Sequence, residues 1–170
     1  MKKIETVKTY KPLFIYNDYD ENFIPLKSLD ELKTMKEIIY PYYDECFSIS
    51  FEYNNKIFDI GYDFETNKVF IDIDSVYENI EDYKQTDNIL SKKELPNEEI
   101  ENIKKDIDEL KNNKKLLKEL YDNVGYVLLR YLYHHNSEFG WDHDKIIDYI
   151  WILDELGLKK EAYEFSSSFY

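Results

Sequence analysis

The chain has 170 residues with a formal net charge of −14, and 43% of its residues are hydrophobic. This length fits one domain with a buried core, and the apolar content excludes a disordered acidic tail. A strongly negative field repels phosphate, so we expect no direct binding of nucleic acid or of a membrane surface. The same charge favours a basic protein as partner, and the oligomeric state stays open.

Cysteine usage and the length of the apolar runs bear on the compartment. Cys46 is the only cysteine, which excludes an intramolecular disulfide and a cysteine-rich zinc site. The first residues lack the apolar segment of a secretory signal peptide, and every apolar run is far shorter than the ~20 residues that cross a bilayer. These features predict a cytoplasmic protein of the reducing cytosol.

The first part of the chain predicts one strand and one helix. Residues 4–16 alternate weakly and end in an apolar run, which indicates an N-terminal strand. Ser28 and Glu31 have the spacing of a capping box, in which both side chains satisfy backbone amides at the start of a helix. Apolar residues then recur at helical spacing as far as Ile39, and Pro41 ends the predicted helix.

The clearest pattern is three short stretches of alternating apolar and polar residues between positions 46 and 74. Asn54-Asn55 predicts a tight turn after the first stretch, because asparagine tolerates positive φ. Residues 65–68 predict the turn between the second stretch and the third. The pattern therefore predicts a three-stranded antiparallel meander with one apolar face.

Helical spacing dominates the rest of the chain. A capping box at Ser75 predicts a short helix to about residue 84, and residues 85–95 read as a polar loop. Helical periodicity then extends from about residue 96 to residue 132, with an interruption predicted at Asn112-Asn113 or Asp122-Asn123. Two further helices are predicted, at 142–155 after a capping Asp142 and at 158–166 after Gly157.

The order of these elements, strands first and helices after, predicts an α+β fold in which helices pack on one face of an antiparallel sheet. We expect a single domain over residues 1–170. Its strand-rich acidic part would cover residues 1–84, and its helical part would cover residues 96–170.

Most of the negative charge falls in one segment. Residues 44–83 hold eleven acidic residues and two lysines, a net charge of −9. The predicted register places Ser50 opposite Asp59, Gly61 opposite Asp72, and Asp59 opposite Asp74. Like charges directly opposite each other destabilise a sheet, so folding alone does not require this arrangement. The predicted acidic face comprises Asp59, Asp63, Asp72, Asp74 and Glu52.

Three interpretations of this face are open. It is a solvated surface, a docking surface that steers a basic protein, or a divalent metal site built from Asp59, Asp72 and Asp74. Asp142-His143-Asp144 is a second candidate metal set, but helix capping and first-turn charge account for its aspartates. Our hypothesis is the docking surface, with no metal and no cofactor.

A second candidate motif is the segment Arg130-Tyr131-Leu132-Tyr133-His134-His135. Arg130 and His135 resemble the arginine-x4–6-histidine motif of HEPN-type RNases, in which these two residues line a cleft, usually across a dimer of helical domains. The resemblance implies an RNase with Arg130 and His135 as its working residues. A structural alternative pairs Arg130 with a nearby carboxylate and leaves the histidines near a helix C-terminus, where positive charge is favoured.

The leading functional hypothesis is a non-enzymatic binding protein that blocks a basic, nucleic-acid-handling partner. In size and composition the chain resembles immunity proteins, which neutralise a cognate toxin, and phage-encoded inhibitors of host nucleases. It contains no glycine-rich phosphate loop and no serine nucleophile elbow. The alternatives are the RNase and a structural or oligomeric accessory protein that uses the helical hairpin at 142–166.

Overall fold

The computed structural model describes residues 9–73, 97–139 and 143–167. The predicted α+β class is confirmed, because the described residues form an antiparallel sheet followed by a mostly helical C-terminal half. The strands are β1 Tyr10–Asn17, β2 Asn22–Pro25, β3 Cys46–Tyr53, β4 Lys56–Asp63 and β5 Lys68–Ile73. The helices are α1 Glu31–Thr34, α2 Asn97–Lys111, α3 Lys114–Phe139, α4 His143–Glu155 and α5 Lys159–Ser167.

The sheet contains the predicted meander of β3, β4 and β5 and an additional N-terminal hairpin of β1 and β2. Its strand order is β2-β1-β3-β4-β5, and every neighbouring pair is antiparallel. The N-terminal strand is confirmed at Tyr10–Asn17, while residues 4–8 lie outside the described residues. The sequence reading missed β2, because a strand of four residues offers too little alternation to be recognised.

The first predicted turn is confirmed, and the second differs in register. Asn54 and Asn55 have φ of 49° and 61° and connect β3 to β4. In the β4–β5 hairpin Asp63 pairs with Lys68, so the loop between these strands begins at residue 64 and not at residue 65 as predicted. This change shifts the pairing by two residues. As a result, Asp59 lies opposite Asp72 instead of Asp74.

Contacts of Asp63 and Phe64 set the register of the β4–β5 hairpin. The backbone N–H groups of Glu65 and Thr66 donate to Asp63 Oδ1 at 2.8 and 3.4 Å, which fixes Asp63 at the start of the loop. Phe64 is buried, and its ring centroid lies 5.4 Å from that of Phe47. Burying Phe64 in the core favours ending β4 at Asp63, although the apolar alternation continues past it.

Helix α1 is shorter than predicted. It occupies Glu31–Thr34, and the chain becomes extended at Met35, whereas the periodicity predicted a helix as far as Ile39. The capping box is also wrong, because Asp30 is the N-cap and makes no side-chain capping bond. The Glu31 carboxylate instead accepts the backbone N–H of Lys27 at 3.2 Å. A tertiary contact from α3, described below, satisfies the carbonyls at the end of this single turn.

The longer helices follow the sequence signals closely. The interruption at Asn112-Asn113 is confirmed, and Asn113 Oδ1 accepts the Leu116 N–H at 3.1 Å to cap α3. Helix α3 continues through Asn123, whose buried amide donates to the Glu119 carbonyl at 2.8 Å. Gly157, with φ of 86°, separates α4 from α5. The predicted helix at 75–84, the loop at 85–95 and Asp142 lie outside the described residues.

One face of the sheet, here called the inner face, packs against the helices. It presents Phe47, Ile49 and Phe51 from β3 and Phe58 and Ile60 from β4, all of which are buried. The same hydrophobic cluster includes residues of every described helix: Leu32, Leu110, Leu128, Leu153 and Phe165. The alternate strand positions form the outer face, which carries Glu52, Asp59, Asp63 and Asp72.

Candidate functional site

Two of the predicted acidic residues meet at the centre of the outer face. Asp59 of β4 and Asp72 of β5 are directly opposite each other in the ladder. Ser50, on the other side of Asp59, donates its hydroxyl to Asp59 Oδ1 at 3.0 Å. Asp72 is exposed and Asp59 is partly buried. The structure therefore confirms that these carboxylates share a face and brings them closer together than the predicted register did.

The other predicted acidic residues are placed differently. Glu52 lies opposite Lys11 of β1, and Asp63 lies opposite Lys68 of β5, so each has a lysine as its cross-strand neighbour. Asp63 is also bound to the amides of the following loop. Asp74 lies outside the described residues. Asp59 and Asp72 therefore form the part of the predicted face in which like charges oppose each other.

Aromatic and aliphatic side chains share the outer face with these carboxylates. A Cβ atom on Gly61 would lie 2.1 Å from Cζ of Phe70, so the Phe70 ring rests directly on the glycine backbone. Phe14 and Ile57 also occupy outer-face positions, and both are buried although neither belongs to the main core cluster. The outer face is thus partly apolar.

A chain of aromatic rings in tilted and edge-to-face contact leads from the outer face to the loop before β3. The distances between ring centroids are 5.1 Å for Phe23 and Tyr16, 6.0 Å for Tyr16 and Tyr42, and 4.3 Å for Tyr42 and Tyr43. Burial, and then the negative charges of Asp18 and Glu21, raise the pKa of Tyr16. The rings therefore lie in a negative electrostatic environment. The sequence reading missed this feature, although the tyrosines around Pro41 were its one local signal.

Next to Tyr43 is a cleft of about 620 Å³ between the loop before β3, the β4–β5 loop and helix α4. Phe64, Tyr149 and Ile152 contribute buried apolar surface to its lining. Tyr43 and Trp151 are its exposed aromatic residues. Its charged lining residues are Asp44, Glu45, Glu65, Asp148 and Lys145. The cleft is thus aromatic and predominantly acidic.

Two hydrogen bonds and one ion pair, from three elements, hold the loop at the cleft. The Tyr131 hydroxyl of α3 donates to Asp44 Oδ1 at 2.7 Å, and Lys145 Nζ of α4 lies 3.8 Å from Asp44 Oδ2. The backbone N–H of Tyr43 donates to Asp18 Oδ2 at 3.1 Å. Tyr43 and Asp44 both have positive φ, of 47° and 58°, which side chains with a Cβ adopt infrequently. These contacts hold the loop in that conformation, and the Tyr43 ring packs edge-to-face on Tyr42, with 4.3 Å between the ring centroids.

Arg130 of the RNase-like motif binds backbone carbonyls. Its Nε donates to the Met35 oxygen at 2.7 Å, and its Nη1 and Nη2 donate to the Leu32 oxygen at 3.1 and 2.7 Å. Nη1 also donates to the Tyr126 oxygen at 2.9 Å. The alternative that Arg130 pairs with a carboxylate is therefore wrong. Burial lowers the pKa of Arg130, and its guanidinium is used to close α1.

The histidines of that motif pack against tyrosine rings. His134 lies 6.0 Å from Tyr40, and His135 lies 5.7 Å from Tyr131, as measured between ring centroids. Arg130 and His135 thus have separate structural neighbours, since the guanidinium binds backbone carbonyls and the imidazole packs against Tyr131.

The Cys46 thiol is partly buried beside carboxylates. Burial, and then the charge of Asp63, raise the pKa of the Cys46 thiol to about 11, so the nucleophilic thiolate is scarce at neutral pH. Within residues 9–73, 97–139 and 143–167, no three histidine, cysteine, aspartate or glutamate side chains are placed to hold a metal ion. Across the same ranges, no helix combines the length and apolar character needed to traverse a bilayer.

Comparison with known protein families, curated proteins and solved structures finds no match to this chain.

Proposed function

We propose that this protein is a non-enzymatic binding protein that neutralises a basic, nucleic-acid-handling protein by occluding its phosphate-binding site. The observation that carries the proposal is the direct opposition of Asp59 and Asp72 on the outer face. Like charges directly opposite each other destabilise a sheet. A cation of the partner placed against both carboxylates would offset that cost in the complex.

Charge complementarity supplies the mechanism. A protein site that holds nucleic acid is lined by lysine and arginine, and a chain with a net charge of −14 is attracted to it before contact. Carboxylates on a sheet face then take the positions that backbone phosphates would occupy. Inhibition by this mechanism is steric and electrostatic, so it needs no catalytic group and weakens as salt is raised.

The test begins with capture of the partner. The tagged protein is incubated with native host lysate at low and at high salt, and bound proteins are identified by mass spectrometry. The captured protein is then purified, and its affinity for the wild type and for Asp59→Lys/Asp72→Lys is measured by calorimetry. We expect a basic protein that salt releases, that loses its nucleic-acid activity in the complex, and that binds the double variant at least about tenfold more weakly.

A matched control distinguishes the loss of the acidic pair from the change in the net charge of the protein. Glu101→Lys/Asp108→Lys changes the formal charge by the same amount, at exposed positions on α2. We expect this control to reduce affinity by about threefold at most, through long-range attraction alone. Equal weakening by both variants, or full binding by Asp59→Lys/Asp72→Lys, would show that the acidic pair is not the docking site. A captured partner that is acidic would refute the proposed function.

A further inference from the structure

Four large aromatic side chains are exposed in one region of the surface. The exposed fractions are 48% for Phe23, 41% for Tyr42, 69% for Tyr43 and 71% for Trp151. Tilted and edge-to-face ring contacts through Tyr16 connect Phe23 to Tyr43, and Tyr43 and Trp151 line the same cleft. We call these four residues the aromatic edge. Contiguous exposed aromatic surface of this kind marks interaction sites, where tyrosine and tryptophan supply much of the binding energy.

The charges around the aromatic edge select its occupant. The edge borders Asp18 and the carboxylates of the cleft, where Lys145 is the single cationic lining residue within the described part of the chain. A second copy of this chain would bring the same carboxylates and another net charge of −14. Repulsion therefore disfavours self-association, whereas a basic partner gains from every contact.

The combination of rings and carboxylates favours an arginine side chain over a lysine side chain. A guanidinium is planar, stacks on aromatic faces and binds a carboxylate with two parallel hydrogen bonds. An ammonium is a compact and strongly hydrated charge, and it gains less from a flanking ring. Tyr43 and Trp151 present rings to the cleft where Glu45, Glu65 and Asp148 present carboxylates. This environment suits arginine better than lysine.

We infer that the aromatic edge docks an arginine-bearing segment of the basic partner, with a guanidinium in the cleft lined by Tyr43 and Trp151. This inference rests on the proposed function and adds to it the anchoring surface and the side chain that is recognised. The loop before β3, which carries Tyr42 and Tyr43, is already held by the hydrogen bond of Asp44 to Tyr131 and by the ion pair of Asp44 with Lys145. Binding therefore pays little of the entropy that a mobile loop would lose.

The test uses two defined probes, hexa-arginine amide and hexa-lysine amide, with affinities measured by calorimetry at low salt. Both carry the same number of basic side chains, so charge attraction alone gives them equal affinity. We expect the arginine peptide to bind about three- to fivefold more tightly. Its binding should also shift the indole N–H signal of Trp151 in the NMR spectrum, and the variant Trp151→Phe identifies that signal.

Two variants test whether the preference for the arginine peptide arises at the aromatic edge. Tyr43→Ala/Trp151→Ala should abolish the difference between the peptides while leaving residual binding through charge. Tyr163→Ala is the matched control, because Tyr163 on α5 is also 74% exposed but does not line the cleft. It should leave both affinities unchanged. Circular dichroism of each variant confirms that these surface substitutions preserve the fold.

The outcomes separate this inference from the proposed function. Equal affinities for the two peptides, weakened by Asp59→Lys/Asp72→Lys and unaffected at the aromatic edge, would refute the inference and leave the proposed function standing. Failure of both peptides to bind would count against the proposed function itself. Sedimentation that shows a dimer dispersed by Tyr43→Ala/Trp151→Ala would assign the edge to a second copy of the chain and overturn the inference.

Discussion

Arg130 and Leu32 are 98 positions apart in the chain, yet both terminal nitrogens of the arginine donate to the Leu32 carbonyl oxygen, at 3.1 and 2.7 Å. A third bond, from Nε to the Met35 oxygen, completes the cap on the C-terminal end of α1. The sole arginine of the chain thereby joins α1 to α3. Its fork satisfies carbonyls that a helix of one turn leaves without internal partners.

Replacing this arginine should destabilise the fold. Arg130→Lys replaces the planar fork that binds both carbonyls with a compact, strongly hydrated ammonium, so we expect the free energy of unfolding to fall by about 2 kcal/mol, and by about 3 kcal/mol in Arg130→Ala. Urea denaturation provides the measurement. Lys36→Ala, which removes an exposed cation just after α1, is the control and should change stability by less than about 0.5 kcal/mol. Wild-type stability in Arg130→Lys would contradict a structural role for the guanidinium.

The β3–β4 hairpin is attached to α2 through the buried carboxylate of Asp106. The Asp106 side chain is 2% exposed, and it accepts Lys56 Nζ at 2.6 Å and Asn54 Nδ2 at 3.0 Å. Asp106→Asn removes the charge that Lys56 faces, so we expect a loss of about 2–4 kcal/mol in unfolding free energy. The same substitution at exposed Asp108, on the same helix, should cost less than about 0.5 kcal/mol. Similar effects at both positions would show that burial of the pair does not matter.

Close packing at Gly61 gives a third prediction. In Gly61→Ala the added Cβ would lie 2.1 Å from Phe70 Cζ and 2.6 Å from the Phe47 carbonyl oxygen, so strands or rings must shift. We expect a loss of about 2–3 kcal/mol, measured by thermal or urea unfolding. In a Phe70→Leu background the loss should be smaller but not zero, because the Phe47 backbone remains in place.

Gly157 serves as the comparison for Gly61. Its Cβ position is empty out to 4 Å, but its φ of 86° strains any side chain. Gly157→Ala should therefore cost about 1 kcal/mol, through the backbone alone. If it cost more than Gly61→Ala, the ring contact of Phe70 would not be the dominant restraint at position 61.

Buried tyrosines make stability fall at alkaline pH. Burial, and then the charge of Glu119, raise the pKa of Tyr10 to about 12, and burial also raises the pKa values of Tyr131 and Tyr149 well above 10.0. A group with a raised folded pKa contributes its full stability below the unfolded pKa and loses it as pH rises through the folded pKa. We therefore expect urea midpoints to be flat up to about pH 9.5 and to fall steeply from pH 10 to 12.

Tyr131→Phe isolates one contributor to this pH dependence. It removes the hydrogen bond to Asp44, so the variant should be less stable than the wild type by about 1–2 kcal/mol at pH 8. Because phenylalanine cannot ionise, its stability should then fall less steeply above pH 10. Absorbance at 295 nm follows phenolate formation in parallel. Identical slopes for both proteins would show that Tyr131 does not titrate with unfolding.

Local patterns predicted much of the fold. Alternation predicted β3, β4 and β5, and Asn54-Asn55 predicted a turn. Of the two predicted helix interruptions, the one at Asn112-Asn113 is confirmed, and the one at Asp122-Asn123 is wrong. Each of these signals acts between residues close together in the chain. Helix α1 was misjudged because its end depends on Arg130, whose contribution no local pattern contains.

The candidate site divides in the same way. Alternation alone determined that Asp59 and Asp72 share the outer face, because each strand turns its apolar residues toward the core and the residues between them to the opposite side. Only the tertiary structure decided that these two carboxylates oppose each other, since Asp63 and Phe64 set the register. The aromatic edge likewise needed the fold, because burial of the core brings Phe23, Tyr43 and Trp151 together from segments that share no local signal.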